Sequence, residues 1–283
     1  MPRLSVSTWS LHRALGPMYH PSKSDPDRLI PHAEMPAEIS LLDVPARISS
    51  MDIRTLEICH FHFPRLDAGY YADLRSALEE ADVSLFSILI DAGDITRPDS
   101  AQREADMAWI RSWLEIAGAC GAAHARVIAG DTAITSNGGD LRDHETIRLS
   151  AQNLRALAEV GRNCGVRVIT ENFRALTTQP APLLAILELC EDEVGLCADF
   201  GNYKGSGKYD DLAAILPRAD SVHAKAYYPE PGRIDQRDFR HCLDLSRTAG
   251  FNGPYSLIFD DVGIEWDNLV ELREAVKPYT GAS

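Results

Sequence analysis

The stretch Val194-Gly-Leu-Cys-Ala-Asp-Phe-Gly-Asn202 has the pattern of a short buried strand. The strand ends in a carboxylate, Asp199, and a turn follows it. A carboxylate at the end of an apolar strand needs a partner, because an unpaired buried charge is costly. Asp199 could instead cap the turn at Gly201, as aspartate often does in turns. We interpret Asp199 as a functional residue because two neighbouring stretches have the same form.

Those stretches flank the first one in the chain. Val166-Arg-Val-Ile-Thr-Glu-Asn172 precedes it and carries Glu171, and Asp220-Ser-Val-His-Ala-Lys225 follows it and carries His223 and Lys225. Segments of helix length separate the three strands, which is typical of parallel strands. If the strands lie side by side, Glu171, Asp199 and His223 converge at one edge of the sheet.

The rest of the chain continues this alternation. Apolar strand patterns occupy 3–9, 53–58, 83–90, 123–128, 166–172, 194–199, 220–225 and 254–259. Helical patterns occupy 41–51, 69–81, 103–120, 144–164, a segment from about 180, 209–216, 236–249 and 266–277. Eight repeats predict an α/β protein with a single (β/α)8 barrel over 1–283. A doubly wound sheet is the alternative, but no GxGxxG or GxxxxGK[ST] motif follows the first strand.

A Pro-rich segment interrupts the alternation after the first strand. Prolines lie at 17, 21, 26, 31 and 36, a density that excludes a helix or a central strand. Connections of this length are often functional. We therefore expect 16–40 to be a long loop or lid, with a role as an interface as the alternative.

Composition restricts the cellular role. Lys plus Arg total 28 and Asp plus Glu total 42, for a formal net charge of −14, which disfavours nucleic acid as a partner. No apolar run is long enough to span a membrane, and the first residues lack a signal-peptide pattern. Six cysteines without CxxC or zinc spacing indicate a reduced, cytoplasmic protein. The oligomeric state stays open, with a homo-oligomer as one option.

Barrel enzymes carry their active sites at the carboxyl ends of the strands. The polar residues expected at that rim are Trp9, His12, His60, His62, Asp91, Asp131, Glu171, Asn172, Asp199, Asn202, His223, Lys225, Asp260 and Asp261. For Asp91 and Asp131, which lie next to glycines, turn formation is the favoured interpretation. His60 and His62 are two residues apart, so one of them is expected to face inward. Lys225 could hold an anion or act as a base.

Two carboxylates and an imidazole suit a divalent cation such as Mg, Mn, Co or Zn. Such a cation polarises a carbonyl, and a nearby base can then move a proton. We assign Glu171, Asp260 and Lys225 as candidates for the base. Trp9, His12, His62, Asn172 and Asn202 are the candidate contacts to a small, sugar-like substrate.

The whole chain resembles the xylose isomerase-like barrel superfamily of sugar phosphate isomerases and epimerases. The resemblance rests on the order and spacing of several motifs: Thr-Leu-Glu57-Ile, Ala-Arg-Val-Ile-Ala-Gly130, Val-Ile-Thr-Glu171-Asn172, Asp199-Phe-Gly-Asn202, Ser-Val-His223-Ala-Lys225 and Gly253-Pro-Tyr-Ser-Leu-Ile-Phe-Asp260. It implies metal ligands at Glu171, Asp199 and His223, with a glutamate after the eighth strand as the fourth.

This chain departs from the family pattern at three positions. Ile258 stands where the fourth ligand is expected, and Asp260 is the candidate substitute. Asn202 and Phe173 replace histidines that are frequent in the family. The leading hypothesis is a metal-dependent isomerase or epimerase acting on a sugar, inosose or related polyhydroxy carbonyl compound. The alternatives are a catalytically inactive barrel that binds sugars or a partner, and a metal-assisted dehydratase or hydrolase.

Overall fold

The structure, a computed structural model, describes residues 1–21, 29–32, 35–135 and 138–281. Its strands, in chain order, are β1 Arg3–Ser7, β2 Tyr19–Pro21, β3 Leu29–Pro31, β4 Thr55–Cys59, β5 Ser84–Ile90, β6 His124–Val127, β7 Arg167–Glu171, β8 Gly195–Asp199, β9 Ser221–Lys225 and β10 Pro254–Ile258. Its α-helices are α1 Val44–Ser49, α2 Ala68–Glu80, α3 Ser100–Cys120, α4 Glu145–Asn163, α5 Pro180–Leu189, α6 Lys208–Ile215, α7 Gln236–Thr248 and α8 Glu265–Val276.

Eight of the described strands close into one barrel in the order β1-β10-β9-β8-β7-β6-β5-β4. Every pairing in it is parallel. Helices connect successive barrel strands, as parallel pairing requires. The predicted (β/α)8 barrel is confirmed.

Side chains alternate along each barrel strand between the surrounding helices and the lumen of the barrel. In β8, Leu196 and Ala198 belong to the large apolar core that lies between strands and helices. The intervening Cys197 joins Phe86 and Ile169 in a small separate cluster. Because successive side chains point to opposite faces of a strand, the second set faces the lumen of the barrel. The lumen is thus the face that carries the polar and charged side chains.

Helix ends agree with the sequence pattern. Asp99 accepts hydrogen bonds from the backbone of Ala101 and Gln102 and so caps α3, and Gly121 ends that helix in a left-handed conformation with φ of 79°. Asp235 caps α7 in the same way. These caps satisfy backbone groups that a helix end would otherwise leave unpaired.

The segment 16–40 is described only in part. Residues 22–28 and 33–34, including Pro26, lie outside the described residues. In the described part, β2 pairs antiparallel with β3, outside the barrel sheet. This agrees with the expectation that the prolines exclude a central strand. The role of the segment as a lid stays a prediction.

Candidate functional site

A cavity of about 540 Å³ opens at the carboxyl end of the barrel strands. Its volume is in the range of small-molecule sites. Its charged lining residues are Asp91, Arg126, Arg174, Glu171, Asp199, Lys225 and Asp260, and its aromatic ones include Trp9, Tyr19, Phe61 and Phe173. Met18, Tyr19, His20 and His32 bring the segment 16–40 to the mouth of the cavity. The cavity therefore combines an acidic and basic floor with aromatic walls.

Three predicted ligands meet at the floor. Nδ1 of His223 lies 3.4 Å from a Glu171 oxygen and 3.5 Å from an Asp199 oxygen. The strands are in register there, since Asp199 pairs with His223 across β8 and β9. All three side chains are nearly inaccessible, with 3–5% of their surface exposed. The structure thus brings together the groups that the sequence placed at three strand ends.

Glu57 holds His223 from the opposite side. Its carboxylate lies 3.1 Å from Nε2 of His223 and is completely buried. A carboxylate accepts, so Nε2 must donate, and Nδ1 is directed at Glu171 and Asp199. Burial disfavours the charged imidazole, but Cys197, Glu171 and Glu57 outweigh burial and hold the pKa of His223 well above its usual value.

Arg126 compensates the charge of Glu171. Its Nε lies 3.0 Å from Glu171, and its terminal nitrogen lies 2.5 Å from Asp91. Burial disfavours the guanidinium charge, but Asp91 and Glu171 outweigh burial and raise the pKa of Arg126. The floor is therefore a connected network of alternating charges, formed by Glu57, His223, Glu171, Arg126 and Asp91.

The surroundings of His223 Nδ1 have the donors for a divalent cation. Two ligand atoms about 2.1 Å from a tetrahedral cation lie about 3.4 Å apart, which matches each separation at Nδ1 taken singly. Asp199 is not in the group whose ligand atoms all lie within 4.8 Å of one another, so its carboxylate would have to move towards Glu171 for the three residues to hold one cation. Two carboxylate oxygens directed at one ring nitrogen also require a positive charge between them, either a proton or a metal ion. The donor set, mixed oxygen and nitrogen, is that of Zn, Mn, Co or Mg sites.

Cys197 is a further donor at this point. Glu171, Cys197 and His223 offer ligand atoms that all lie within 4.8 Å of one another. Burial raises the pKa of the Cys197 thiol to about 11. A protonated thiol is a weak ligand for a hard cation. Asp199, which approaches the same nitrogen as a carboxylate, is the more suitable third donor.

Asn172 and Asn202 have different positions. Asn172 exchanges two hydrogen bonds with the backbone of Asp199, at 3.0 and 2.7 Å, and so joins the ends of β7 and β8. Asn202 lines the cavity, and its amide donates to Glu171 at 3.0 Å. Asn202 is thus available to a ligand, whereas both polar groups of the Asn172 side chain are engaged with backbone.

Lys225 and Asp260 form an ion pair at the rim, with the lysine nitrogen 2.5 Å from the carboxylate. Gly201 makes room for Lys225, because a Cβ at Gly201 would lie 2.8 Å from its Cδ. The lysine holds the pKa of Asp260 below its usual value, against the effect of burial. Asp260 lies beyond the end of β10, whereas Ile258 is the last residue of that strand and lines the cavity. The carboxylate of Asp260 is thus engaged by Lys225, and its role as a metal ligand stays a prediction.

The histidines near the cavity separate by position. His60 lines the cavity, and burial lowers its pKa to about 4 despite nearby Asp91. His62, the residue we expected to face the substrate, is buried with Nδ1 2.8 Å from the Thr8 hydroxyl. The turn His60–His62 is a 3-10 helix, so side chains two apart do not follow the alternation of a strand.

The remaining predicted contacts lie near β1. Trp9 lines the cavity and stacks on His12, with ring centroids 4.9 Å apart. Nδ1 of His12 lies 2.7 Å from the carbonyl oxygen of Trp9 and 3.5 Å from Glu265. His12, His62 and Asn172 are not among the described residues that line the cavity. Asp91, which we expected to be a turn former, does line it and binds Arg126.

Glu57 and Arg126 belong to the floor but were not predicted as site residues from the sequence. Both occupy lumen-facing positions in strands, within Thr-Leu-Glu-Ile and Ala-Arg-Val-Ile. A charge inside a buried strand needs a partner of opposite charge. That signal was present in the sequence and could have identified both residues.

The family model for xylose isomerase-like TIM barrels matches residues 45–269. No curated protein matches the chain at the level of sequence. None of the helices that the structure describes combines the length and hydrophobicity needed to cross a bilayer.

Several solved structures share the fold. L-ribulose 3-epimerase superposes with a TM-score of 0.69 at 14% identity, over 99% of this chain and 94% of that one. A xylose isomerase-like barrel protein from Mycobacterium smegmatis in complex with magnesium gives 0.67 at 14%, over 99% and 98%. 3-Keto-D-glucoside 4-epimerase from E. coli gives 0.62 at 18%, over 85% and 94%.

These superpositions show a common fold. The family match extends over most of the chain. The closed parallel barrel is the fold that this family model describes. The chain belongs to the xylose isomerase-like TIM barrel family.

Proposed function

We propose that this protein is a sugar isomerase or epimerase that uses a divalent cation held by Glu171, Asp199 and His223. One observation carries the proposal, namely the approach of two carboxylate oxygens to His223 Nδ1 at the floor of the cavity. Structural neighbours whose names describe sugar epimerases, and one in complex with magnesium, support it. The expected substrate is a small polyhydroxy carbonyl compound.

A bound cation would polarise the substrate carbonyl and stabilise negative charge on its oxygen. Glu171 is the candidate base for the proton on the adjacent carbon. Its two oxygens are differently engaged, one by the Asn202 amide and the other by the Arg126 guanidinium. These contacts orient the carboxylate, and Arg126 offsets the cost of keeping its charge in a buried place.

The second proton-transfer group determines the reaction type. Inversion at one carbon needs groups on both faces, whereas a proton shift between adjacent carbons can use one base on one face. Ile258 offers no proton-transfer group at the end of β10, so Lys225, paired with Asp260, is the candidate for the opposite face. Loss of epimerisation but not isomerisation in Lys225→Met would support this assignment.

The direct test is metal content. We expect purified protein to bind about one divalent ion per chain, and Asp199→Ala to lose it. Asp106→Asn, a matched change at a carboxylate that pairs with Arg97 outside the cavity lining, should keep the ion. Glu171→Gln should then lose turnover of a panel of ketoses and inososes by about 10² to 10⁴-fold. Absence of binding after addition of Mn, Co, Zn or Mg would overturn the proposal.

A sugar-binding barrel without catalysis is the second candidate. Ile258 at the position of the expected fourth ligand favours it, because a site with three protein ligands holds a cation less firmly. Stoichiometric metal together with measurable turnover would exclude this candidate. Ligand binding at the cavity without turnover of any panel member would favour it.

A further inference from the structure

Three cationic side chains other than histidine line the cavity: Arg126, Lys225 and Arg174. Arg126 binds two carboxylates and Lys225 binds one. Among the residues that the structure describes, Arg174 has no carboxylate within ion-pair distance. It is exposed, so its guanidinium is open to solvent and to the mouth of the cavity. Arg174 is thus the cation in this lining whose charge the protein does not neutralise.

The backbone at Arg174 is strained. Its φ is 70° and its ψ is 178°, a region that is almost restricted to glycine. The other described non-glycine residues with positive φ are all aspartate or glutamate: Asp52, Asp82, Glu191 and Asp192. Strain of this kind persists where the surroundings fix it and is frequent at ligand sites. Arginine at this position therefore needs a reason other than chain geometry, which glycine would satisfy better.

The turn that carries Arg174 is fixed by its neighbours. The Thr177 hydroxyl accepts from the Phe173 backbone at 2.9 Å and is 3.2 Å from the Glu171 carbonyl. Asp131 accepts from the backbone of Ala175 at 3.3 Å. The turn begins directly after Glu171-Asn172, so the strained residue is tied to the end of β7.

Phe173 connects Arg174 to the buried network. The guanidinium carbon of Arg174 lies 4.9 Å from the centre of the Phe173 ring, and that of Arg126 lies 5.5 Å from the same ring. Cation–π contact orients Arg174 without neutralising it. Its nitrogen donors stay available to a planar or tetrahedral oxyanion, which guanidinium binds with two parallel hydrogen bonds.

We propose that Arg174 binds an anionic group of the substrate, either a phosphate or a carboxylate. The sugar-like end of the substrate would reach the Glu171, Asp199 and His223 floor, and its anionic end would lie at the mouth. This inference rests on the proposed function for the position of the sugar. Because the net charge is −14, the protein as a whole repels an anion, and an unpaired local cation such as Arg174 would offset that repulsion at the mouth.

The test is equilibrium binding, which does not depend on turnover. Wild-type protein is titrated by calorimetry with D-fructose 6-phosphate, D-glucuronate and D-fructose, with and without Mn²⁺. We expect one anionic probe to bind at least about tenfold more tightly than the neutral sugar. Phosphate as the preferred group identifies a sugar phosphate substrate, and carboxylate identifies a sugar acid.

Arg174→Gln should remove this preference and leave binding of the neutral sugar unchanged, and Arg174→Lys should restore part of it. Arg237→Gln, an exposed arginine outside the cavity lining, is the matched control and should keep the preference. Equal affinity of wild type for all three probes would overturn the inference, as would unchanged discrimination in Arg174→Gln. If wild-type protein binds no divalent ion but still prefers the anionic probe, only the proposed function is refuted.

Discussion

The floor and the mouth of the cavity hold their charges in different ways. At the floor, Arg126 and Glu171 are each 3% exposed and in contact with oppositely charged groups. At the mouth, Lys225 and Asp260 are 25% and 36% exposed. Water can replace a partner at the mouth but not at the floor. We therefore expect the stability of the site to depend on the buried pairs of the floor, whereas residues at the mouth can change with a smaller effect on stability.

Removal of Arg126 is the most severe way to break the floor. Arg126→Leu leaves Asp91 and Glu171 without their cation in a buried place. We expect the free energy of unfolding to fall by about 3–5 kcal/mol, measured by urea denaturation. Arg97, which pairs with Asp106 at a more exposed position, is the control. An equal loss in Arg97→Leu would show that burial does not distinguish the two pairs.

The buried imidazole of His62 should make the free energy of unfolding depend on pH. Burial, with smaller effects of His12 and His60, lowers the pKa of His62 to about 3, and its Nε2 finds no hydrogen-bond partner among the described residues. The unfolded chain binds a proton here below about pH 6.5, and the folded protein does not until about pH 3. The contribution of neutral His62 to the free energy of unfolding is therefore fully present above about pH 6.5 and is lost as the pH falls towards 3.

We expect His62 to account for about 2 kcal/mol of the stability lost between pH 8 and pH 5. His62→Gln should reduce that loss in urea titrations at the two pH values, whatever its effect at pH 8. His20→Gln, at an exposed histidine of the mouth, should leave the loss as in wild type. An unchanged loss in His62→Gln would contradict a neutral buried His62.

Substitution of Glu57 tests whether a buried residue of the floor changes the metal affinity of the proposed site. Loss of its charge should weaken the orientation and basicity of His223, and outer-shell changes of this kind lower metal affinity by about 10 to 100-fold. We expect that decrease in Glu57→Gln, measured by competition with a chelator. Glu265→Gln removes a buried carboxylate that binds the backbone of Arg13 and Ala14, outside the cavity. Affinity should be unchanged in that control.

The smallest effect on stability is expected at the mouth. Asp260→Asn breaks the pair with Lys225, and partly exposed pairs contribute less than about 1 kcal/mol. The same variant should alter kcat or product stereochemistry if Lys225 transfers a proton, because the lysine loses one of the carboxylates that, together with Asp199, raise its pKa against the effect of burial. A large loss of stability would mean that the mouth is as rigid as the floor.

The fold could be predicted from sequence because strand and helix patterns are local. The convergence of Glu171, Asp199 and His223 could be predicted for the same reason, since each lies near the end of a strand and parallel strands end at one rim. Glu57 was not assigned because its partner His223 belongs to a strand that is not adjacent in the sheet, so the two residues meet only when the barrel is closed. The partners of Arg126 lie at or just after the ends of the two strands next to β6, and the strand pattern alone does not show that they pair with it.

His62 and Asn172 were expected to face the substrate but are not among the described residues that line the cavity, and the reason is different. The inward direction of His60 rather than His62 depends on a short 3-10 turn, which the pattern of loop residues does not determine. Asn172 directly follows Glu171, but its amide is hydrogen-bonded to the backbone of Asp199. The directions of these side chains depend on hydrogen bonds between neighbouring secondary-structure elements.

Closure of the barrel also governs when the site can appear during folding. The contact between Glu57 and His223 joins residues 166 positions apart, and Ser10 bridges β1 to the end of β10 by accepting from Phe259 and donating to Leu257. Contacts between distant residues form late, after local helices. We expect metal affinity to return on refolding only when the complete barrel has formed. A chelating fluorophore could therefore time the closure of the barrel.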